Sequence, residues 1–136
     1  MNFDRGSLQN REVTLRMVPM PSDLNPDGDV FGGWVMSQVD VAGAIPALRL
    51  ARGRVVTVSV NSFQFKEPIY VGDIVSLYAD VVRVGVSSIT VKVEVYVERN
   101  HADPVIVKVT EAELTYVAID STGNKRAVPK ATAVSR

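Results

Sequence analysis

Cysteine is absent from the 136 residues of this chain. That excludes disulfides, a thiolate nucleophile and zinc held by sulfur, and it suits a reducing compartment. Histidine is nearly as scarce. His101 is the single copy, and it falls between Asn100 and Pro104, a segment that reads as a loop joining two strands. A Ser-His-Asp or Cys-His site needs its imidazole beside the nucleophile, and a solvated loop histidine supplies none. An excess of one charge is missing too. Lys+Arg and Asp+Glu number 15 each, so the chain offers no electrostatic footprint for nucleic acid or an anionic membrane. No apolar run approaches the roughly 20 residues that span a bilayer. Met1 to Asn10 lacks the apolar core of a signal peptide. The expectation is a cytoplasmic protein of one domain, long enough to bury a sizeable core, with neither nucleic acid nor membrane as partner.

Familiar binding and catalytic patterns are also missing. There is no G-x-S-x-G elbow, no P-loop and no dinucleotide-binding glycine pattern. Asn25-Pro26-Asp27-Gly28-Asp29 opens like a calcium loop, but Val30 stands at the sixth position and Met36 at the twelfth. The glycine and bidentate glutamate that calcium requires are not there. No metal site is expected.

What is present is one long helical segment with one acid in it. From Gly33 to Leu48 the only charged residue is Asp40. At about 100° per residue, Gly33, Ser37, Asp40 and Ala44 share a face flanked by Met36 and Val41. Val35, Val39, Ala42 and Leu50 lie opposite. A helix apolar nearly all round belongs inside a protein, and a carboxylate there is costly to bury without a purpose. Asp40 either hydrogen-bonds a buried neighbour or does chemistry, and residue physics alone leaves both open. Gly32 and Gly33 permit close backbone approach where the helix begins. Pro46 is expected to kink or end the regular helix, and Gly53 to stop it.

The rest reads as strands: Glu12–Val18, then Val55–Lys66, Ile74–Val84, Val86–Glu98 and Val105–Ile119. In the second, Val56, Val58 and Val60 share one parity and Phe63 and Phe65 the other, which predicts a bulge or bend near Asn61–Ser62. In the fourth, Ile89, Val91, Val93, Val95 and Val97 all point one way. Turn-sized links imply antiparallel pairing, and one-sided alternation implies a sheet covered on a single face. The expected architecture is α+β, a five-stranded antiparallel sheet wrapped around one long central helix. Residues 1–10 are expected to be a flexible N-terminus, 11–128 the domain and 129–136 a tail. A helix apolar all round needs more cover than five strands give, so a subunit interface is expected.

The segment Gly28-Asp29-Val30-Phe31-Gly32-Gly33-Trp34-Val35-Met36-Ser37-Gln38-Val39-Asp40, followed by Gly53-Arg54-Val55-Val56-Thr57-Val58, resembles the hotdog-fold acyl-CoA thioesterases of the YciA type. The likeness runs from about Arg16 to about Pro129 and includes Pro68-Ile69-Tyr70-Val71-Gly72-Asp73, Gly85-Val86-Ser87-Ser88 and Thr110-Glu111-Ala112. Hotdog dehydratases pair a histidine with a carboxylate, and no suitably placed histidine exists here. Pro46 and Arg52 depart from the family pattern.

The resemblance implies hydrolysis of an acyl-CoA thioester to free acid and CoA, without metal or cofactor. It places the active site between two protomers of a hotdog dimer, with dimers assembled into hexamers. By position, Asp40 matches the family's carboxylate, as general base or nucleophile. Asn25 matches an asparagine supplied by the other protomer, and the N–H of Gly33 would polarise the thioester carbonyl. A non-catalytic acyl-CoA-binding hotdog protein is the alternative, and a scaffolding oligomer a third. Thr57 either lines the pantetheine channel or is an ordinary strand threonine. Gly85, Ser87 and Ser88 either bind CoA or make a turn. Arg54 meets a CoA phosphate or a surface carboxylate, with Lys66 a weaker candidate. Asp27 and Asp29 read as turn and helix-entry acids, and Trp34 as a packing or interface residue. Met36, Val60 and Phe63 are candidates for the pocket floor.

Overall fold

A single long helix, α1 (Gly32–Ala51), lies across one face of an antiparallel sheet in the computed structural model, which describes residues 2–3, 8 and 11–130. The strands are β1 (Asn2–Phe3), β2 (Leu15–Met17), β3 (Val55–Phe65), β4 (Ile74–Val84), β5 (Ser88–Arg99) and β6 (Val105–Ala118). They run in the order β2-β4-β5-β6, and β3 and β1 share the far side of β6. β3 pairs with Thr110–Ala118 and β1 with Ile106–Val107. All five expected strands are present, and β1 is a short addition. Most of the expected flexible N-terminus and residues 131–136 of the expected tail lie outside the described residues.

The alternation of β5 is borne out, since Ile89, Val91, Val93, Val95 and Val97 are all essentially buried. They meet Val35, Val39, Ala42, Ala47 and Ala51 of α1, whose small side chains let the helix lie close to the sheet. The bend foreseen in β3 appears as two register shifts against β6, between Thr57 and Ser59 and between Val60 and Ser62. The first expected strand contracts to Leu15–Met17, because Val13 turns to the outer face of the sheet and packs with Tyr78, Tyr96 and Ile106.

The expected shortfall of cover on the helix is present: its apolar circumference is buried on one side only, with Met36, Val41 and Leu48 44%, 51% and 45% exposed. A sheet ordered this way can cover one helix face, and the opposite face needs another chain. β3 is likewise bare: Val56, Val58 and Val60 are all exposed, and the strand has a partner on one edge only. Two expectations about where the helix ends need correction. Pro46 does not end the helix, which continues for five residues to Ala51. The lost N–H removes one bond, and packing of the neighbouring Ala42, Gly43 and Ala47 keeps the turn in place. Nor is Gly53 the left-handed terminator. Arg52 takes that role at φ 56. Gly53 instead leaves room for Arg126, whose Nη2 would sit 2.8 Å from a Cβ there and donates to the carbonyl of Ala51 at 2.8 Å.

On the outer face a charge network ties strands together. Arg11 reaches Glu94 and Asp80, each at 2.9 Å, and Lys108 reaches Glu94 at 2.8 Å and Glu111 at 2.6 Å. Burial by itself would raise the carboxyl of Glu94, but hydrogen bonds and charge from Lys108 and Arg11 outweigh it and hold the group below its ordinary 4.5. The hydrogen bond from Lys108 depresses Glu111 likewise. A carboxyl depressed in the folded state adds stability above its unfolded value and loses it as pH falls through the folded value. The melting temperature should therefore drop more steeply for the wild type than for Glu94→Gln between about pH 5 and pH 3. Parallel melting curves across that window would show that the network contributes nothing.

Candidate active site

Asp40 projects from the middle of α1 toward β3 and β6, half-buried in the chain. Thr57 and Tyr116 sit opposite each other in the β3–β6 ladder, so the register of the sheet brings their hydroxyls to the same carboxylate. Thr57 Oγ1 donates to Asp40 Oδ1 at 2.7 Å. The phenol of Tyr116 reaches the same Oδ1 at 3.1 Å and the main-chain carbonyl of Asp40 at 2.8 Å. Oδ2 accepts no hydrogen bond among the described residues. One carboxylate oxygen is thus held by hydroxyls while the other stays open. Tyr116 is fully buried. Burial, with the charge and hydrogen bond of Asp40, pushes its phenol far above the usual tyrosine range, so it remains a proton donor at every working pH. Gly43 makes the contact possible: a Cβ there would lie 3.2 Å from ring atoms of Tyr116 and closer still to its hydroxyl.

Asn25 lies at the other end of the helix, in the loop before it. Its Oδ1 accepts from the N–H of Asp27 at 2.9 Å and of Asp29 at 3.1 Å, and Gly28 closes the turn at φ 92. This is the backbone-mimicking turn that asparagine makes, and it leaves the side-chain NH₂ without an acceptor among the described residues. The loop is tied to the Pro68–Asp73 turn by Val30 N–H to Ile69 O at 2.8 Å. That turn is set by Asp73, which is 3% exposed and accepts from Arg99 at 2.8 Å and from the N–H of Tyr70 at 3.0 Å. Gly33, in the first turn of α1, has an N–H with no acceptor among the described residues, and open space surrounds it. A cavity of about 330 Å³ opens between the Asn25 loop, the start of α1 and the end of β3. Val30, Val35, Phe65, Ile69 and Thr110 form much of its wall, with Lys66 also on the lining. A larger hollow of about 530 Å³, among Arg11, Arg16, Tyr78 and Tyr96, lies across the sheet from Asp40.

The sequence-expected residues form three groups. Asp40 and Thr57 are in contact. Asn25 and Gly33 lie at the helix N-terminus, and seven residues of helix put Gly33 about 10 Å from Asp40 along the axis. No single carbonyl can touch both within one chain. Arg54, Gly85, Ser87 and Ser88 gather at the C-terminal end of β6. Ile119 N–H donates to Arg54 O at 3.1 Å, Ala118 N–H to Ser87 O at 2.9 Å and Gly85 N–H to Ser88 O at 2.8 Å. Lys66 is at the opposite end of β3 from Arg54. Of the expected floor residues, Met36 and Val60 are exposed and Phe63 packs partly on the core; none lines the cavity beside Asn25. His101 is exposed, with Nε2 3.1 Å from Gly72 O. Tyr116 was not foreseen. Its one sequence signal is an aromatic residue at an inward position of a long alternating strand, and that signal does not say which helix residue it meets.

Among the described residues no group of histidine, aspartate and glutamate is placed to hold a metal, and no helix is long and apolar enough to cross a membrane. Residues 27–103 match the sequence profile of the Thioesterase superfamily. The chain is 46% identical over 120 residues to the acyl-CoA thioester hydrolase YciA of Escherichia coli (strain K12), covering 87% of this chain and 91% of that protein. It superposes on a hexameric hotdog fold thioesterase of Campylobacter jejuni with a TM-score of 0.84 at 47% identity, over 87% of this chain and 90% of that one. A hexameric thioesterase from Yersinia pestis matches with a TM-score of 0.84 at 47% identity, over 91% of this chain and 100% of that one. With a helix laid on an antiparallel sheet, an open carboxylate on that helix and these matches along most of its length, the chain belongs to the Thioesterase superfamily and has the hotdog fold.

Proposed function

We propose that this protein hydrolyses acyl-CoA thioesters to free acid and CoA, at a site completed by a second copy of the chain. The observation that carries the reading is the half-committed carboxylate of Asp40, with Oδ1 bound by two hydroxyls and Oδ2 open. In this reading Oδ2 takes a proton from water as the water oxygen attacks the thioester carbonyl carbon. The oxyanion that forms is met by the N–H of Gly33 and the NH₂ of Asn25, both of the second copy, and by the positive end of that helix. Collapse breaks the C–S bond, and the proton held by Asp40 leaves with the CoA sulfur. Thioesters have little resonance stabilisation and a good leaving group, so a carboxylate, water and preset donors suffice without a cofactor. General-base assistance is worth about 10²–10⁴-fold and one oxyanion donor about 10²–10³-fold.

Two bare apolar surfaces support the second copy: the helix face of Met36, Val41 and Leu48, and the unpaired edge of β3. An exposed strand of 11 residues rich in valine is a template for pairing. Two helices meeting antiparallel would bring Gly33 and Asn25 of one chain toward Asp40 of the other, removing the 10 Å separation that a single helix imposes. Three such dimers make the hexamer in which the relatives are found. In this reading Arg54 and Gly85–Ser88, joined through the C-terminal end of β6 next to the Thr57–Tyr116 pair, bind the CoA portion. The cysteine-free composition suits a cytoplasmic enzyme.

Thiol release from a panel of acyl-CoAs, measured beside CoA binding, tests this reading. Release with binding supports it, binding without release marks a carrier, and neither marks a scaffold. Tyr116 has a separate signature. Tyr116→Phe should lower kcat about tenfold while leaving KM unchanged, because it removes a hydrogen bond to a charged group and no contact with substrate. A rise in KM at constant kcat would assign Tyr116 to binding instead.

A further inference from the structure

No step of the chemistry above uses Asp73 or Arg99, yet Asp73 is a carboxylate that is only 3% exposed. Its charge is met by a two-pronged contact: Arg99 Nη2 donates to Oδ2 at 2.8 Å and Nε to Oδ1 at 3.2 Å. The same Nη2 donates to Pro68 O at 3.2 Å, and the guanidinium lies over the ring of Tyr70, 4.8 Å from its centre. The N–H of Tyr70 donates to Asp73 Oδ2 at 3.0 Å, and the N–H of Asp73 to Tyr70 O at 3.1 Å. One guanidinium thus holds residues 68, 70 and 73 together. As a source of stability such a pair is weak, since apolar side chains of the same volume often do as well. What it supplies is direction, because a planar fork on a carboxylate fixes both groups in one orientation.

Direction matters because of what rests on this turn. Residues 68–73 lie in the link between β3 and β4, outside both strands. The Asn25 loop sits on them through Val30 N–H to Ile69 O at 2.8 Å and through the antiparallel bridge of Asp29 with Tyr70. Asp29 in turn gives its N–H to Asn25 Oδ1 at 3.1 Å. The contacts therefore run unbroken from Arg99 through Tyr70 and Asp29 to the Asn25 side chain. We infer that Arg99 and Asp73 are positioning residues: by fixing the turn at 68–73 they aim the NH₂ of Asn25 at the acyl oxygen. The inference rests on the thioesterase reading, in which that NH₂ is an oxyanion donor. A donor acts only at hydrogen-bond distance from where the oxyanion forms, and a shift of about 1 Å caused from afar can cost about 10²-fold. A pair that works this way governs kcat through Asn25 and leaves substrate affinity alone.

The test is a double-mutant cycle in kcat and KM, run on whichever acyl-CoA of the panel is cleaved fastest. Hydrogen exchange of the Asp27 and Asp29 amides adds a readout that needs no turnover. Arg99→Gln keeps a planar donor but gives up the charge and the fork. It should lower kcat about tenfold at unchanged KM, and Arg99→Lys, which restores the charge, should lower it less. In an Asn25→Asp background Arg99→Gln should change kcat by no more than about twofold, whereas in Tyr116→Phe it should cost its full factor again. Exchange at Asp27 and Asp29 should quicken about tenfold in Arg99→Gln while the amides of β6 exchange as in the wild type. A pair that only holds the fold would lower kcat by one factor in both backgrounds. That result, wild-type kcat in an assembled Arg99→Gln protein, or unchanged exchange in the loop overturns the inference. Should Arg99→Gln fail to assemble, Arg99→Lys passes through the same cycle under the same criteria. Faster loop exchange in a protein that releases no thiol leaves the pair standing as the anchor of the loop and sinks the thioesterase reading instead.

Discussion

Asp40→Ala is expected to lower kcat at least about a hundredfold while the protein remains folded and assembled. The expected loss follows from Oδ2, the oxygen left free to take the proton of water. The survival of the fold follows from the partners of Oδ1. Removing the carboxylate does not strand the buried phenol of Tyr116, because its 2.8 Å bond to the Asp40 carbonyl persists. Thr57 is exposed in the single chain, and its hydroxyl can turn to water. Thiol release by the purified variant, with size-exclusion and melting measurements alongside, separates the two effects. Near-wild-type turnover from a folded Asp40→Ala protein would remove the carboxylate from the mechanism.

The second large effect concerns Asn25 and depends on two chains. Asn25→Ala removes the NH₂ donor, but also the acceptor that holds the N–H groups of Asp27 and Asp29. Asn25→Asp keeps that acceptor and replaces the donor with a second, negatively charged oxygen, so it removes the donation and repels the oxyanion without loosening the turn. Loss of one oxyanion donor predicts a fall in kcat of about 10²–10³-fold. Mixing inactive Asn25→Asp with inactive Asp40→Ala should restore activity once protomers exchange. In a twofold dimer, half of randomly mixed dimers are heterodimers and one of their two sites is intact, so about a quarter of wild-type activity is expected. Exchange demonstrated by mass labels without any recovery would place Asp40 and Asn25 in separate sites.

Both tests trace back to features that differ in how far the sequence exposes them. The row from Ile89 to Val97 is legible because a strand has period 2, and a buried face needs five apolar residues in step. The bulge in β3 is legible for the same reason, since a change of parity has to be absorbed somewhere. Asp40 stands out because an acid in an otherwise uncharged stretch is rare. Where the chain ends its helix was less legible. A glycine suggests a left-handed stop, yet Arg52 adopts that conformation, and Gly53 answers to Arg126 from 73 residues later in the chain. Pro46 argues locally for a break, and packing on both sides of it decides otherwise.

Composition and pattern by themselves determined the catalytic vocabulary and the class of fold: no thiol, one distant histidine, one acid on a helix with two apolar faces, and strands that alternate. Those properties are local, set by residue type and by periods of 2 and 3.6. The partners of the acid were decided only by tertiary structure. Tyr116 is 76 residues from Asp40 and Thr57 is 17 residues away, and they converge because the β3–β6 register places them side by side under the same turn of α1. Which helix face stays bare, and therefore where a second chain fits, likewise follows from strand order. Register and order are energies of long-range pairing, summed over many weak contacts, and no short window of sequence contains them.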